Sequence, residues 1–256
     1  MIKFFRKIRQ KTIIDNKFSK YLFYAIGEII LVVIGILIAL AINNNNGERK
    51  TRIKELNYLS GIKSDLNLNL NELKTYITTR EKSVNSAETL LGFFKNKKEV
   101  IPDEFNLHNL NVQIWYPFKK NDNTYQELIN SGNLAILSND SIKNILLNMH
   151  LGYKQITYLE THMQYDFKNY MYPIYFNTTD LESDISNYTS QVSNGAEGVR
   201  TILSKEKIEI LLNNQTFKNS FVLSIFNNKN VVVEYKNMII MTEKLIDLID
   251  SEFKKE

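Results

Sequence analysis

His162 and Asp166 stand four residues apart, so on a helix an imidazole and a carboxylate share one face, where they could pass a proton or offer two ligands to a metal ion. Two donors leave a metal site short, and a surface ion pair is the plainer use of that spacing. Tyr158 and Tyr165 flank His162, and their hydroxyls are weak candidates to line a small-molecule pocket. Glu28 is the other chemical oddity, the one charged residue in an apolar run over residues 21–42. An acid at that depth must be protonated, reach outward or pair, for instance with the Tyr24 hydroxyl one turn earlier; a proton-handling or helix-pairing role is the default hypothesis for it.

The remaining chemistry is excluded by what the chain lacks. There is no Gly-rich phosphate loop, no Gly-x-Ser-x-Gly elbow, no His-Glu-x-x-His and no EF-hand spacing. With no Cys, disulfides, thiolate catalysis and Cys-ligated metals are ruled out. His108 and His150, the other two histidines, have no carboxylate one turn on. No catalytic, cofactor-binding or metal-binding set follows, and the chain is not expected to be an enzyme. The alternative, an enzyme or ligand carrier built on the Tyr-rich helix, rests on His162, Asp166, Tyr158 and Tyr165 alone.

The elements that must position these residues begin with the apolar run. Its 22 residues suffice to cross a bilayer at about 1.5 Å per residue. Fourteen Leu, Ile, Val and Phe residues, at roughly −0.3 to −0.6 kcal/mol each, outweigh one acid at about +3 kcal/mol. A cleaved signal peptide is the rival, since Ala39-Leu40-Ala41 has small-x-small spacing, but the apolar core is too long for an h-region of roughly 7–15 residues. Gly27, Gly35, Ala39 and Asn43 recur at multiples of four, a candidate face for close packing of a second membrane helix and hence for a homodimer.

Seven cations precede the span, against Arg49, Lys50, Arg52 and Lys54 soon after it, which predicts a cytoplasmic N-terminus and an extracytoplasmic domain over residues 43–256. That domain holds 25 cations and 26 acids, giving no electrostatic footprint for nucleic acid. The basic excess is confined to residues 1–20, where Ile2, Phe4, Phe5 and Ile8 alternate with the charges, as expected of an amphipathic segment on anionic lipid.

Beyond the span the chain reads as all-α, with three Pro and nine Gly in 256 residues and apolar positions spaced by threes and fours. Leu59, Ile62, Leu66, Leu70, Leu73, Ile77, Val84, Ala87, Leu91 and Phe94 predict a long helix over residues 43–97, continuous with the membrane helix and interrupted in its apolar series only by Arg80. Residues 98–123, with Pro102, Pro117 and the mixed run 112–116, read as a connection or short strand. Residues 124–177 read as a helical hairpin, with Gly132 after a helix end, Ser138 to Ser141 as caps, and Met149, Ile156, Met163 and Tyr170 on one stripe of an aromatic helix. Residues 178–203 read as a polar excursion, and residues 204–256 as closing helices, two short ones over 204–212 and 217–226 and a last that carries Val231, Tyr235, Met238, Thr242, Leu245 and Ile249.

Two stretches carry a resemblance. The segment from Lys20 to Leu40, KYLFYAIGEIILVVIGILIAL, resembles the signature of an uncharacterised bacterial single-span membrane family, the domain-of-unknown-function 6090 type, and residues 123–137 are similar to its Thr-Tyr-x-x-Leu-x-x-x-Gly-x-Leu pattern. Where members often have Asn-Asn-Trp-Asn after the span, this chain has Asn43 to Asn46, without the interfacial Trp. The resemblance implies placement and topology and carries over no catalytic or binding residue, while marking Gly27-Glu28 as a family feature. The expected protein is an inner-membrane, single-span, helical-bundle interaction or sensory module with a protein partner of unknown identity. A purely structural tether is a further alternative.

Overall fold

The structure, a computed structural model, describes residues 18–95, 100–113 and 115–255. Of the lipid-facing segment expected over residues 1–20, residues 1–17 lie outside the described residues. Among the described residues there is no strand. The helices are α1 (Phe18–Phe94), α2 (Pro102–Gln113), α3 (Asn123–Asn130), α4 (Asp140–Asp166), α5 (Tyr172–Thr178), α6 (Leu181–Val192), α7 (Lys205–Leu212) and α8 (Gln215–Phe253). A 3-10 turn, Asn133–Ile136, follows α3, and a π turn, Phe167–Met171, joins α4 to α5.

The chain divides into two compact units between Asn57 and Tyr58. In the first, every large apolar side chain from Leu22 to Ile42 is exposed, and the helix is long and apolar enough to cross a membrane. In the second, α8 runs antiparallel to the α1 segment after Tyr58. Ion pairs Lys63–Asp250, Lys74–Glu243 (3.9 Å), Glu81–Lys236 (2.9 Å) and Glu88–Lys229 (2.8 Å) ascend one helix as they descend the other. These exposed pairs fix register more than they stabilise. The stabilising term is the apolar seam, in which Leu59, Leu73, Ala87 and Leu90 of α1 and Val231, Tyr235, Leu245 and Ile249 of α8 are all fully buried. The 4-3-4-3-4 spacing of the α8 series is what brings those residues to one face.

Four expectations are corrected. Residues 102–113, read as connection or strand, form α2, because Pro102 opens a helix whose Phe105, Leu110 and Val112 go into the core. Residues 181–192, read as part of a polar loop, form α6, started by the Asp180 carboxylate, which accepts from the Glu182 N–H. Residues 217–226 and the closing helix are one element, α8. The stripe Met149, Ile156, Met163, Tyr170 keeps its first three members in the core, but Tyr170 is exposed. The π turn inserts a residue, so burial continues through Phe167, Met171 and Tyr175 instead.

Residues 123–137 dock on α1 through their backbone. The Thr124 N–H donates to Asp65 Oδ2 (3.0 Å), Leu128 is fully buried, and Gly132 has φ +69°, the left-handed geometry expected after a helix end. Thr124 sits against Gly61, where a Cβ would lie 2.7 Å from Thr124 Cγ2 and 3.3 Å from its Cβ. Gly61→Ala is therefore expected to cost about 1–3 kcal/mol by overpacking, read as a lower thermal midpoint; an unchanged midpoint would show that α3 shifts without penalty.

Candidate functional site

Glu28 is exposed on the apolar stretch of α1. A Cβ built on Gly27 or Gly35 would meet nothing within 4 Å, and Ala39 is exposed, so this face is open to a neighbouring helix. His162 and Asp166 are brought together on α4, with Nε2 3.7 Å from Oδ2. Their environments differ: the imidazole is more than half exposed, while the carboxylate is buried and its Oδ2 also accepts from Asn227 Nδ2 (2.8 Å). Among the described residues no three His, Cys, Asp or Glu side chains form a metal-sized group. Tyr158 and Tyr165 are on the exposed face of α4; among the described residues the tyrosines that the fold encloses are Tyr58, Tyr153, Tyr175 and Tyr235.

Arg80, the intruder in the apolar stripe of α1, has a partner that the sequence does not reveal. It meets Glu160 of α4 at 3.4 Å, both side chains being about 4% exposed, and its Nη2 also donates to the Tyr116 carbonyl at 2.7 Å. Glu160 accepts the Phe118 N–H on both oxygens (3.0 and 3.1 Å) and the Tyr235 hydroxyl on one. Burial raises the Glu160 carboxyl above its ordinary range, against the pull of Tyr235, the Phe118 N–H and Arg80. Around this cluster, Tyr76 donates to the Pro117 carbonyl (2.9 Å), and Phe118 stacks on Tyr153 at 6.0 Å. Asn69 exchanges two hydrogen bonds with the Asn121 backbone. The arrangement grips the stretch 115–121 by its backbone, at the Tyr116 and Pro117 carbonyls, the Phe118 N–H and both backbone groups of Asn121.

What it positions is an open cleft of about 320 Å3 formed by the end of α2, the extended stretch, α5 and α6. Aromatic rings dominate its walls, including Trp115, Tyr116, Phe176 and Tyr188, with the Tyr116 and Tyr188 hydroxyls 3.1 Å apart. Its polar atoms are unusual. Gln113 Nε2, Trp115 Nε1, Tyr175 OH and Asp184 Oδ2 are each shielded by protein, and none has a hydrogen-bond partner in the protein. Tyr175 nevertheless has Asp184, Gln113 and Thr179 as close polar neighbours, so three of these atoms face one another in geometry too loose for a well-formed hydrogen bond. Burial pushes both groups up, and on Asp184 the effect is partly offset by Thr179, Tyr175 and then Lys207.

The sequence does not show this cleft, because residues 98–123 read as a connection or short strand and residues 178–203 as a polar excursion. A signal was present: Leu181, Ile185, Tyr188 and Val192 follow helical spacing after a capping Asp180. On α6 the usual polarity is inverted, with Asp184 and Asn187 buried and Leu181, Ile185 and Val192 exposed.

A family model described as a family of unknown function, DUF6090, matches residues 28–187. That span takes in Glu28, most of the apolar run, the Arg80–Glu160 pair and all the cleft residues except Tyr188. No curated protein and no solved structure matches the chain.

Proposed function

The chain belongs to the family of unknown function DUF6090, and from that premise we propose that it is a single-span inner-membrane protein whose helical domain receives a ligand or protein partner. In this reading the N-terminus is cytoplasmic, residues 1–20 rest on anionic lipid, and residues 43–256 lie across the membrane. The observation that carries it is the helix Phe18–Phe94, unbroken in backbone, which begins as an exposed apolar rod and ends as a seam of the bundle. Such a rod in water would be an aggregation surface far beyond what soluble monomers tolerate. The excess of cations before the span over those after it supports the orientation.

The module works by contact rather than catalysis: binding changes packing in the bundle, and Glu28 with the Gly27, Gly35 and Ala39 face responds in the membrane, a face suited to a second copy of the chain. Use of His162 and Asp166 as a catalytic or ligand-carrying pair has weaker support, because Asn227 already engages the carboxylate and the imidazole faces outward. A purely structural tether would be indifferent to Glu28→Gln. Nucleic acid is disfavoured by the near-neutral domain.

A reporter fused after Glu256 that is active only outside the cytoplasm tests the placement. We expect activity, with a cytoplasm-only reporter silent at the same position. The reverse pattern would put the bundle in the cytoplasm and sink the orientation.

A further inference from the structure

We propose that the outer face of the α4–α8 pair is where a second copy of this chain docks. This names the partner of the domain that the reading above makes a receiver of contacts, and it rests on that reading. The two helices pack antiparallel. Asn139 Nδ2 donates to Glu252 Oε1 (2.8 Å) at one end, and Asn227 Nδ2 donates to Asp166 Oδ2 (2.8 Å) at the other. Between these pairs Gly152 lies against Met238 and Met241.

Away from its buried stripe, each helix carries an apolar rib that repeats every seven residues: Leu151, Tyr158 and Tyr165 on α4, and Phe226, Val233 and Ile240 on α8, all 55 to 66% exposed. At about 100° per residue, both ribs lie roughly 110° round from the α4–α8 contact, on the side opposite the core, so they rise from one face. The register of the pair brings Leu151 level with Ile240, Tyr158 with Val233 and Tyr165 with Phe226 to within about half a turn. The result is a ladder of apolar rungs two turns apart.

At about 100–150 Å2 for each half-exposed side chain, the ladder leaves on the order of 700 Å2 of apolar surface in water. That exceeds the roughly 300–600 Å2 of the largest patch on a typical monomer and approaches the about 800 Å2 that each partner buries in a standard interface. The pattern selects the partner. A two-fold interface requires one patch to be complementary to itself, and here α4 and α8 repeat each other. Three residues before and four after the middle rung stand Gln155 and His162 on α4, and Asn230 and Asn237 on α8, side chains that both donate and accept. The lysines beside the α8 rib, Lys229 and Lys236, pair with Glu88 and Glu81 of α1, so they do not call for an acidic partner. With the two-fold axis along the helices, α4 of each copy faces α8 of the other and rung meets rung. Both bundles then point the same way, as suits two chains held in one bilayer.

The chain has no Cys, so introduced cysteines report without background. Tyr158→Cys and Val233→Cys chains are produced together in one membrane and treated with a short bismaleimide. We expect a crosslinked band at about twice the 29.9 kDa of one chain from the mixture, and none from either variant alone. Asn71→Cys, exposed on α1 and away from this face, is expected to give no band with either partner. Phe226→Glu with Ile240→Glu, placed in both chains, changes only exposed side chains; it should leave the melting curve intact and abolish the crosslink. No dimer from the mixture overturns the assignment. So does a band from either cysteine variant alone, which would set the copies head to tail, a band of equal strength with Asn71→Cys, or a crosslink that survives the two glutamates. None of these outcomes bears on the membrane orientation, which the reporter fusion tests separately.

Discussion

Arg80→Leu is expected to cost the helical domain about 3–5 kcal/mol, because it strips the buried Glu160 carboxylate of its cationic partner while Tyr235 and the Phe118 N–H remain. The Tyr116 carbonyl also loses a donor. Denaturant unfolding of the full chain in detergent, followed by helical circular dichroism, would measure the loss. Adding Glu160→Leu to Arg80→Leu should recover much of it, since two apolar residues replace the pair and only the backbone groups at Tyr116 and Phe118 and the Tyr235 hydroxyl must find new partners. A double variant no more stable than the single one would mean that the pair is not the source of the cost.

The same variant has a pH signature. The Glu160 carboxyl is raised in the folded state, chiefly by burial, so the folded chain holds that proton more tightly than the unfolded chain. Stability from this group is therefore fully present below its unfolded pKa and is lost as pH rises through the folded one. Arg80 pulls against the rise; without it the carboxyl goes higher still, and the loss on raising the pH is larger. The gap between wild type and Arg80→Leu should be widest at neutral pH and narrow on acidification into the carboxylate range. A gap independent of pH would assign the cost to lost packing.

Val33→Arg together with Ile34→Arg should remove the chain from membranes. Each change gives up a few tenths of a kcal/mol of favourable insertion and adds about 2.5–3.5 kcal/mol, roughly 6–8 kcal/mol in all, which exceeds the few kcal/mol by which the native run favours insertion. Fractionation with an alkaline carbonate wash would read the outcome. Retention of the double-arginine chain in washed membranes would show that something other than residues 21–42 holds it there.

Several features were legible from residue order alone. The apolar run, the helical class, the buried face of α8 and the cap at Asn139, which accepts from the Ser141 and Ile142 N–H groups, follow from periods and local chemistry within a turn or two of chain. The glycine after α3 belongs with them, because only a left-handed residue ends that helix as the chain does. The family resemblance was legible too, carried by the span and by the pattern after Asn123.

The tertiary structure decided where the polar residues went. Arg80 reads in the sequence as a flaw in an apolar stripe; its partner is 80 residues away, and nothing local specifies it. Tyr158, His162 and Tyr165 looked like a site because they share a helix, yet which face of α4 is covered depends on α8 and the π turn. The cleft joins residues near 115 to residues near 184, each in a segment whose composition alone reads as loop. Helical period is a short-range property written in consecutive residues, whereas the pairing and burial of polar groups is fixed only when distant segments exclude water together, and in this protein that is where the candidate chemistry lies.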